Sequence, residues 1–390
     1  MNLLYDLYAT QPNPTGKRHG GGKYGEVIFF KMIKSGIRFC CAYDSTIWLN
    51  PDVLEMCKRN NITLYDIHGD KWQELVSEKK IDRIYSCLPY HLLKVEGCQI
   101  ISTIHGLRGV EMPFDIFSRL MFCGLNYYSV FKETIAEMKC TRRNAAWGWY
   151  HKLIEKKNMK FVTVSNHSKY SMLSQYPDLK SDDIRVFYSP NTSNDSKIKK
   201  TNYGKYFLLV STNRWDKNNL RAVMALDNLF SKGLLLDYKV ILTGYQKENT
   251  SWLHKMLFGN CELGKYKITN IDRFVFKGYV SEDELNDLYG NAFCFIYPSL
   301  NEGFGYPPLE AMRFGVPVLA SAIASISEIL DNAALYFTPF SVEEIMNRIL
   351  QITDDDTYMK YSNRSKERYN IVKKRQDNDL DELINFIVKE

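Results

Sequence analysis

Two carboxylates stand eight residues apart on either side of a glycine pair, in Glu302-Gly303-Phe304-Gly305-Tyr306-Pro307-Pro308-Leu309-Glu310. Gly303 and Gly305 carry no side chain, so the backbone there can come close to a ligand. Pro307 and Pro308 suit the first turn of a helix, where an absent N–H leaves nothing unsatisfied. A helix N-terminus offers free N–H groups and a partial positive charge, a seat for phosphate. The carboxylates suit neutral hydroxyl groups better than phosphate, and a sugar nucleotide has both parts. A plainer use exists for the same residues: Glu310, read inside the first helical turn, partners the helix dipole, and the glycines make a turn.

Other chemistry-bearing residues lie at comparable places. Arg214 and Lys217 follow the apolar run 206–211 and precede a helical pattern through Leu229. Two cations at a strand's end and a helix's start make a diphosphate clamp, or else a solvated loop pair. His105 ends the run 99–104, where it could hydrogen-bond a hydroxyl, move a proton, or serve structure alone. Gly20, Gly21 and Gly22 lie between the run 2–8 and a helical pattern at 24–34. They let a ligand near the backbone, or form a surface loop. Ser165 reads as a helix N-cap, and Ser281 with Glu284 as a capping box.

Stepping out to the elements, strands are expected at 2–8, 37–42, 82–87, 99–104, 160–165 and 184–188. A second series is expected at 206–211, 238–244, 273–280, 292–299 and 316–321. Helical patterns alternate with them, which argues for parallel sheets built of βαβ units, with ligands at the carboxyl ends of the strands. The polar stretch 191–204 reads as a linker between two α/β halves. The order predicts a domain over 1–190, a second over 205–370, and a C-terminal helix over 371–390. The Gly20–22 region is not GxGxxG with a ribose-binding acid about 20 residues on, which argues against a nicotinamide cofactor.

With 390 residues, 45% apolar and 25% charged, the composition is that of a two-domain globular protein. The nine cysteines show no CxxC spacing, consistent with a reduced, cytoplasmic protein. The N-terminus lacks the pattern of a signal peptide, and no apolar run is long enough to span a bilayer. The net charge of +6 is concentrated: residues 117–160 hold nine Lys or Arg against three Glu. They also carry Phe117, Phe122, Tyr127, Tyr128, Phe131, Trp147, Trp149 and Tyr150. A basic, aromatic, helical segment fits an anionic membrane surface or a lipid-linked acceptor, and equally a solvated face over a core. The pI of about 8.6 is modest and no nucleic-acid-binding signature is present, so nucleic acid is not an expected partner.

Taken together, the second half resembles the donor domain of retaining, family-4-like glycosyltransferases (glycosyl transferases group 1). The residues that carry the likeness are Arg214, Lys217-Asn218, Lys277-Gly278-Tyr279-Val280, Tyr297-Pro298-Ser299, Glu302-Gly303-Phe304-Gly305, Pro308-Leu309-Glu310-Ala311-Met312, Gly315-Val316-Pro317-Val318 and Ser325-Ile326-Ser327-Glu328-Ile329. They span about residues 205–340 in order. The first half matches more weakly, through Gly20-Gly21-Gly22-Lys23-Tyr24, Thr103-Ile104-His105 and Val164-Ser165. The resemblance implies an α/β protein of the GT-B fold, two Rossmann-like domains facing each other across a cleft, with the C-terminal helix over 371–390 crossing back to the first domain.

The resemblance also implies roles. Arg214 and Lys217 would bind the donor diphosphate, Glu302 donor-sugar hydroxyls, and Glu310 the ribose. Gly303, Phe304 and Gly305 would steady sugar or phosphate, and Gly278, Tyr279 and Val280 would border the base. Gly21 and Gly22 would approach the diphosphate from the other domain, and His105 would sit by the sugar. Transfer would retain configuration, with no cofactor and no metal. Ser327 stands where proline often precedes the glutamate, which leaves Glu328 without an assigned role. The expected function is hexosyl transfer from GDP-mannose or a UDP-hexose to a saccharide or lipid-linked saccharide. The setting would be bacterial surface-polysaccharide synthesis, with the protein cytoplasmic and peripheral on the inner face of the membrane. A sugar-nucleotide epimerase on the same fold and a non-catalytic nucleotide-sugar-binding partner are the alternatives. Base, sugar, acceptor and linkage are not written in these motifs.

Overall fold

The computed structural model describes residues 1–12, 19–113, 115, 117, 127–191, 204–211, 214–244 and 268–389. Contacts divide the chain into two compact units. One comprises Met1–Leu107, Ala145–Thr192 and Lys373–Glu390; the other comprises Arg108–Asn144 and Ser193–Val372.

The first unit is organised on a parallel sheet of β1 (Leu3–Asp6), β2 (Cys40–Tyr43), β3 (Leu64–Asp66), β4 (Arg83–Ser86), β5 (Gln99–Ile104), β6 (Met159–Thr163) and β7 (Ile184–Val186). Its order is β3-β2-β1-β4-β5-β6-β7, so the winding reverses between β1 and β4. Tyr5 is in register with Cys41 on one side and Tyr85 on the other. β1 and β4 are buried throughout, as befits strands covered on both faces.

The helix after β1 begins at Gly20 and runs to Lys34, four residues earlier than the sequence reading had it. The glycines are therefore its first turn and not a loop ahead of it. Glycine has low helix propensity, but close packing here requires residues without side chains. A Cβ on Gly22 would lie 2.7 Å from the Thr10 carbonyl oxygen, and one on Gly25 would lie 2.8 Å from Cys87 Sγ. His19 caps this helix, its Nδ1 accepting from Gly22 N–H at 2.9 Å while Nε2 donates to the Gln11 carbonyl at 3.1 Å.

The end of the chain completes this unit. Residues 373–389 are the last part of the helix Asp355–Lys389. They bury Leu383, Ile384 and Ile387. Asp379 accepts from Tyr188 N–H at 2.7 Å, Gln376 donates to the Ser189 carbonyl at 2.5 Å, and Arg83 donates to the Ile387 carbonyl at 2.7 Å.

The second unit has β8 (Tyr206–Val210), β9 (Lys239–Thr243), β10 (Phe274–Phe276), β11 (Cys294–Tyr297), β12 (Val318–Ser321) and β13 (Ala334–Phe337). These are ordered β10-β9-β8-β11-β12-β13, again all parallel, with the reversal between β8 and β11. Phe207, Leu209, Leu226, Leu229, Leu242, Ile296, Leu319 and Phe337 are among its core. Ser281 caps the helix Glu282–Asn291 through Glu284 N–H, and Ser165 caps Asn166–Gln175. The start of the helix Asp355–Lys389 packs here, Ser362 donating to the Gly315 carbonyl at 2.7 Å. Of the expected linker, 192–203 lie outside the described residues. Residues 108–144, read from sequence as part of the first domain, group with this second unit.

Candidate functional site

In an open parallel sheet the point where the winding reverses leaves a crevice at the carboxyl ends of the strands. Arg214 and Lys217 follow β8, and Glu302 follows β11, so they flank that point. A single 3-10 turn, Trp215–Lys217, separates the two cations, and it ends on Asn218 in the left-handed region (φ 54°). Asn218 holds this conformation by donating to the carbonyls of Pro298 at 3.0 Å and Pro339 at 2.7 Å. Its αL geometry starts the helix Asn219–Ser231 in a new direction.

Lys217 Nζ donates to Glu302 Oε1 at 2.5 Å, and the Ser299 hydroxyl donates to the same oxygen at 2.6 Å. Both charged side chains are largely buried, 13% and 10% exposed. Burial alone would push the Glu302 carboxyl up. The Lys217 ammonium, the Ser299 hydroxyl and the Arg108 guanidinium overcome it and hold the group at about 2. Arg214 forks onto Asp216, Nε to Oδ1 at 2.8 Å and Nη2 to Oδ2 at 2.6 Å. Asp216 is itself buried. Two residues that the sequence reading did not single out thus belong to the cluster: Asp216, which lies between the two cations, and Arg108, whose nitrogens are 3.8 Å from Asp216 and 3.9 Å from Glu302.

The loop after Glu302 is pinned from beneath. The Ser325 hydroxyl donates to the carbonyls of Glu302 at 2.9 Å and Phe304 at 3.2 Å. Phe304 is buried and Gly303 half-buried. Gly305 has φ 110°, a conformation that side chains strain against, and it caps the helix Tyr306–Arg313. Pro307 and Pro308 lie in that helix's first turn. Glu310 does not: it is in the second turn, so the dipole-partner reading fails and its half-buried carboxylate faces other duties. One neighbour is the buried Tyr289, whose phenol is raised well above its usual value by burial and then by the Glu310 charge.

Gly278, Tyr279 and Val280 follow β10, which ends at Phe276 rather than running on to 280. The Gly278 carbonyl accepts from Gly244 N–H at 3.0 Å. Tyr279 is 92% exposed and offers a free ring face for stacking. Lys277 is tied to Glu284 at 2.7 Å.

In the first unit, Gly21, Gly22 and His105 come together at the carboxyl end of its sheet. A Cβ on Gly21 would lie 3.1 Å from Leu88, and His105 Nε2 donates to the adjoining Cys87 carbonyl at 3.1 Å. The ring meets Tyr24 edge-on at 4.7 Å. Burial, opposed by the Cys87 carbonyl and aided by His19, lowers His105 to about 4, so it is neutral at neutral pH with Nδ1 as its acceptor.

Cations set against carboxylates at the reversal point, a pinned glycine loop and a helix N-terminus make an arrangement that invites comparison with known enzymes. Residues 191–370 match the glycosyl transferases group 1. The domain they form belongs to that family. O-antigen chain mannosyltransferase B of Escherichia coli is 35% identical over 153 residues, 39% of this chain and 38% of that protein. O-antigen chain mannosyltransferase RfbU of Salmonella typhimurium is 33% identical over 178 residues, 46% of this chain and 46% of that protein. The chain thus aligns with less than half the length of either relative. A glycosyltransferase structure from Rickettsia africae shares the fold with a TM-score of 0.66 at 17% identity, covering 100% of this chain and 99% of that one. The fold is GT-B, with two Rossmann-like units.

Proposed function

We propose that this group 1 glycosyltransferase moves a hexose from a nucleotide-diphosphate sugar to a saccharide or lipid-linked saccharide in bacterial surface-polysaccharide synthesis. The observation that carries the reading is the convergence of Arg214, Lys217 and Glu302 at the reversal point of the second sheet. Arg214 and Lys217 hold the donor diphosphate and stabilise the charge that grows on the departing nucleotide. Glu302, ionised at neutral pH, accepts hydrogen bonds from donor-sugar hydroxyls. Gly303, Phe304 and Gly305 bring backbone N–H groups to sugar or phosphate, Glu310 takes the ribose, and Tyr279 with Gly278 and Val280 borders the base. Mannose is the first candidate sugar, because two of the relatives that align with this chain are O-antigen mannosyltransferases by name. GDP-mannose is the corresponding donor and a UDP-hexose the next. Transfer retains anomeric configuration by same-face attack within an ion pair, and fixed cations do the work a metal does elsewhere.

A thermal-shift panel with UDP, GDP, ADP, dTDP and their common sugars, run in EDTA, tests this. Ligand at about 100 times its dissociation constant adds roughly 2.7 kcal/mol. One nucleotide should stand out, with its shift lost in Arg214→Ala and Glu310→Ala. NMR of the product formed from that donor then reports the anomeric configuration. A panel with no responding nucleotide would end the donor-site reading.

A further inference from the structure

Arg108 comes two residues after the Gly106 that follows His105 in sequence, yet its guanidinium belongs to the loop cluster of the second unit. Three more ties hold the strip that begins with it. The Glu111 carboxylate accepts from Asn301 Nδ2 at 3.3 Å. Asp115 receives both arms of Arg221, at 2.6 and 2.9 Å, with both side chains buried. Arg221 lies over the Phe117 ring at 4.6 Å. A buried bidentate pair fixes both partners in a narrow geometry. Arg108 is therefore delivered to Asp216 and Glu302 by an anchored strip and is not a loose surface arginine.

Three cations, Arg108, Arg214 and Lys217, face two carboxylates, Asp216 and Glu302, and they are not equally engaged. Arg214 and Lys217 make hydrogen bonds of 2.5 to 2.8 Å to those carboxylates. Arg108 reaches them only at 3.8 and 3.9 Å, beyond hydrogen-bond range, and its buried Nε has no partner. The unpaired Nε shows a guanidinium that is not committed to any close protein acceptor. The Arg108 side chain is 40% exposed, so its terminal nitrogens are open to an entering ligand.

We propose that Arg108 is the third cation of the donor site and binds phosphate oxygens of the nucleotide diphosphate. This rests on reading the second unit as a nucleotide-sugar site. A guanidinium presents its N–H groups as a planar fork that matches two phosphate oxygens. Arg108 gives up no close hydrogen bond in taking them, whereas Arg214 and Lys217 must first loosen their hold on Asp216 and Glu302. It thereby supplies the positive charge that the two internal ion pairs leave unspent.

The test uses the full chain and the nucleoside diphosphate that the thermal-shift panel selects, with the bare nucleoside as control. Isothermal titration reads the diphosphate and ligand-observed NMR the nucleoside. Arg108→Gln should weaken the diphosphate roughly tenfold or more, leave the nucleoside within about twofold, and remain cooperatively folded without ligand. Arg108→Lys should recover part of the loss. Retention of diphosphate affinity in Arg108→Gln overturns the proposal, and so does an equal loss for diphosphate and nucleoside, which marks a structural role. A parent protein that binds no nucleotide overturns the donor-site reading itself, an outcome distinct from either.

Discussion

A glutamate held at about 2 is a carboxylate at neutral pH, which sets Glu302 against the role of an acid that protonates a leaving group there. It is an acceptor kept charged by Lys217, Ser299 and Arg108. The linkage has a definite sign. The folded-state value lies below the ordinary 4.5, so the stabilisation is complete above about 4.5 and is lost as pH falls from there toward 2. Glu302→Gln should cost on the order of 3 kcal/mol relative to the parent at pH 7, with that gap closing as the pH is taken from 5 to 3. Urea unfolding of both proteins at several pH values measures it, and a gap independent of pH would refute the assignment. Glu302, Arg214 and Lys217 were legible because each sits within a few residues of a strand's end, where local pattern suffices. Arg108 was not. Its partners Asp216 and Glu302 are far along the chain, and nothing local distinguishes it from a solvated arginine. Asp216 lay in plain view between two cations, but only the fold shows that it is buried and must be paired.

At the scale of elements, alternation of apolar runs and helical patterns gave both sheets, because parallel strands buried on two faces read as apolar runs bounded by turns. β3 and β13 went unread. β3 is three residues long and only partly buried, so it has too few apolar positions to show a period. The basic, aromatic segment divides once its packing is seen. Trp147 donates Nε1–H to the Gln175 carbonyl at 3.0 Å and stacks on Tyr176 at 5.4 Å, Trp149 meets Tyr90 at 5.0 Å, and Tyr150 is buried. These aromatics serve internal contacts, which corrects their place in the membrane reading. The helix Tyr127–Met138 differs. Tyr128, Phe131 and Met138 are 70%, 64% and 71% exposed, with exposed Lys132, Lys139, Arg142 and Arg143 on or just beyond it. Among the described residues no helix is long and apolar enough to cross a membrane. Attachment through this helix would be interfacial, apolar rings inserted and cations on lipid phosphates. The protein should therefore sediment with vesicles containing anionic lipid and much less with purely zwitterionic ones. Replacing Lys132 and Lys139 by Ser should lower partitioning by roughly tenfold or more, at about 1 kcal/mol per charge. Equal sedimentation with both vesicle types would remove the electrostatic part of this reading.

For the whole molecule, the sequence divides near residue 190, with a last helix that the family resemblance carries back to the first domain; contacts move 108–144 to the second unit and place 373–390 with the first. Both placements rest on long-range pairs that composition cannot reveal. Asp115 and Arg221 are 106 positions apart, and Arg83 reaches the Ile387 carbonyl across 304. The first unit therefore depends on the chain's last residues for part of its core. Leu383 and Ile387 are 1% and 0% exposed, so truncating either to Ala should cost roughly 2–5 kcal/mol. Together the two changes approach the roughly 5–15 kcal/mol that holds a typical domain folded. The cost should fall on the first unit. Arg108, Arg214, Lys217, Glu302 and Glu310 all lie in the second, as does the core beneath them. In the Leu383→Ala, Ile387→Ala double variant, limited proteolysis should open the segments 1–107 and 145–191, while the nucleotide's thermal shift on the second unit persists. Loss of that shift together with first-unit protection would mean that the donor site draws on the first unit for its integrity. Undiminished protection of the first unit would mean that the C-terminal residues are not part of its core.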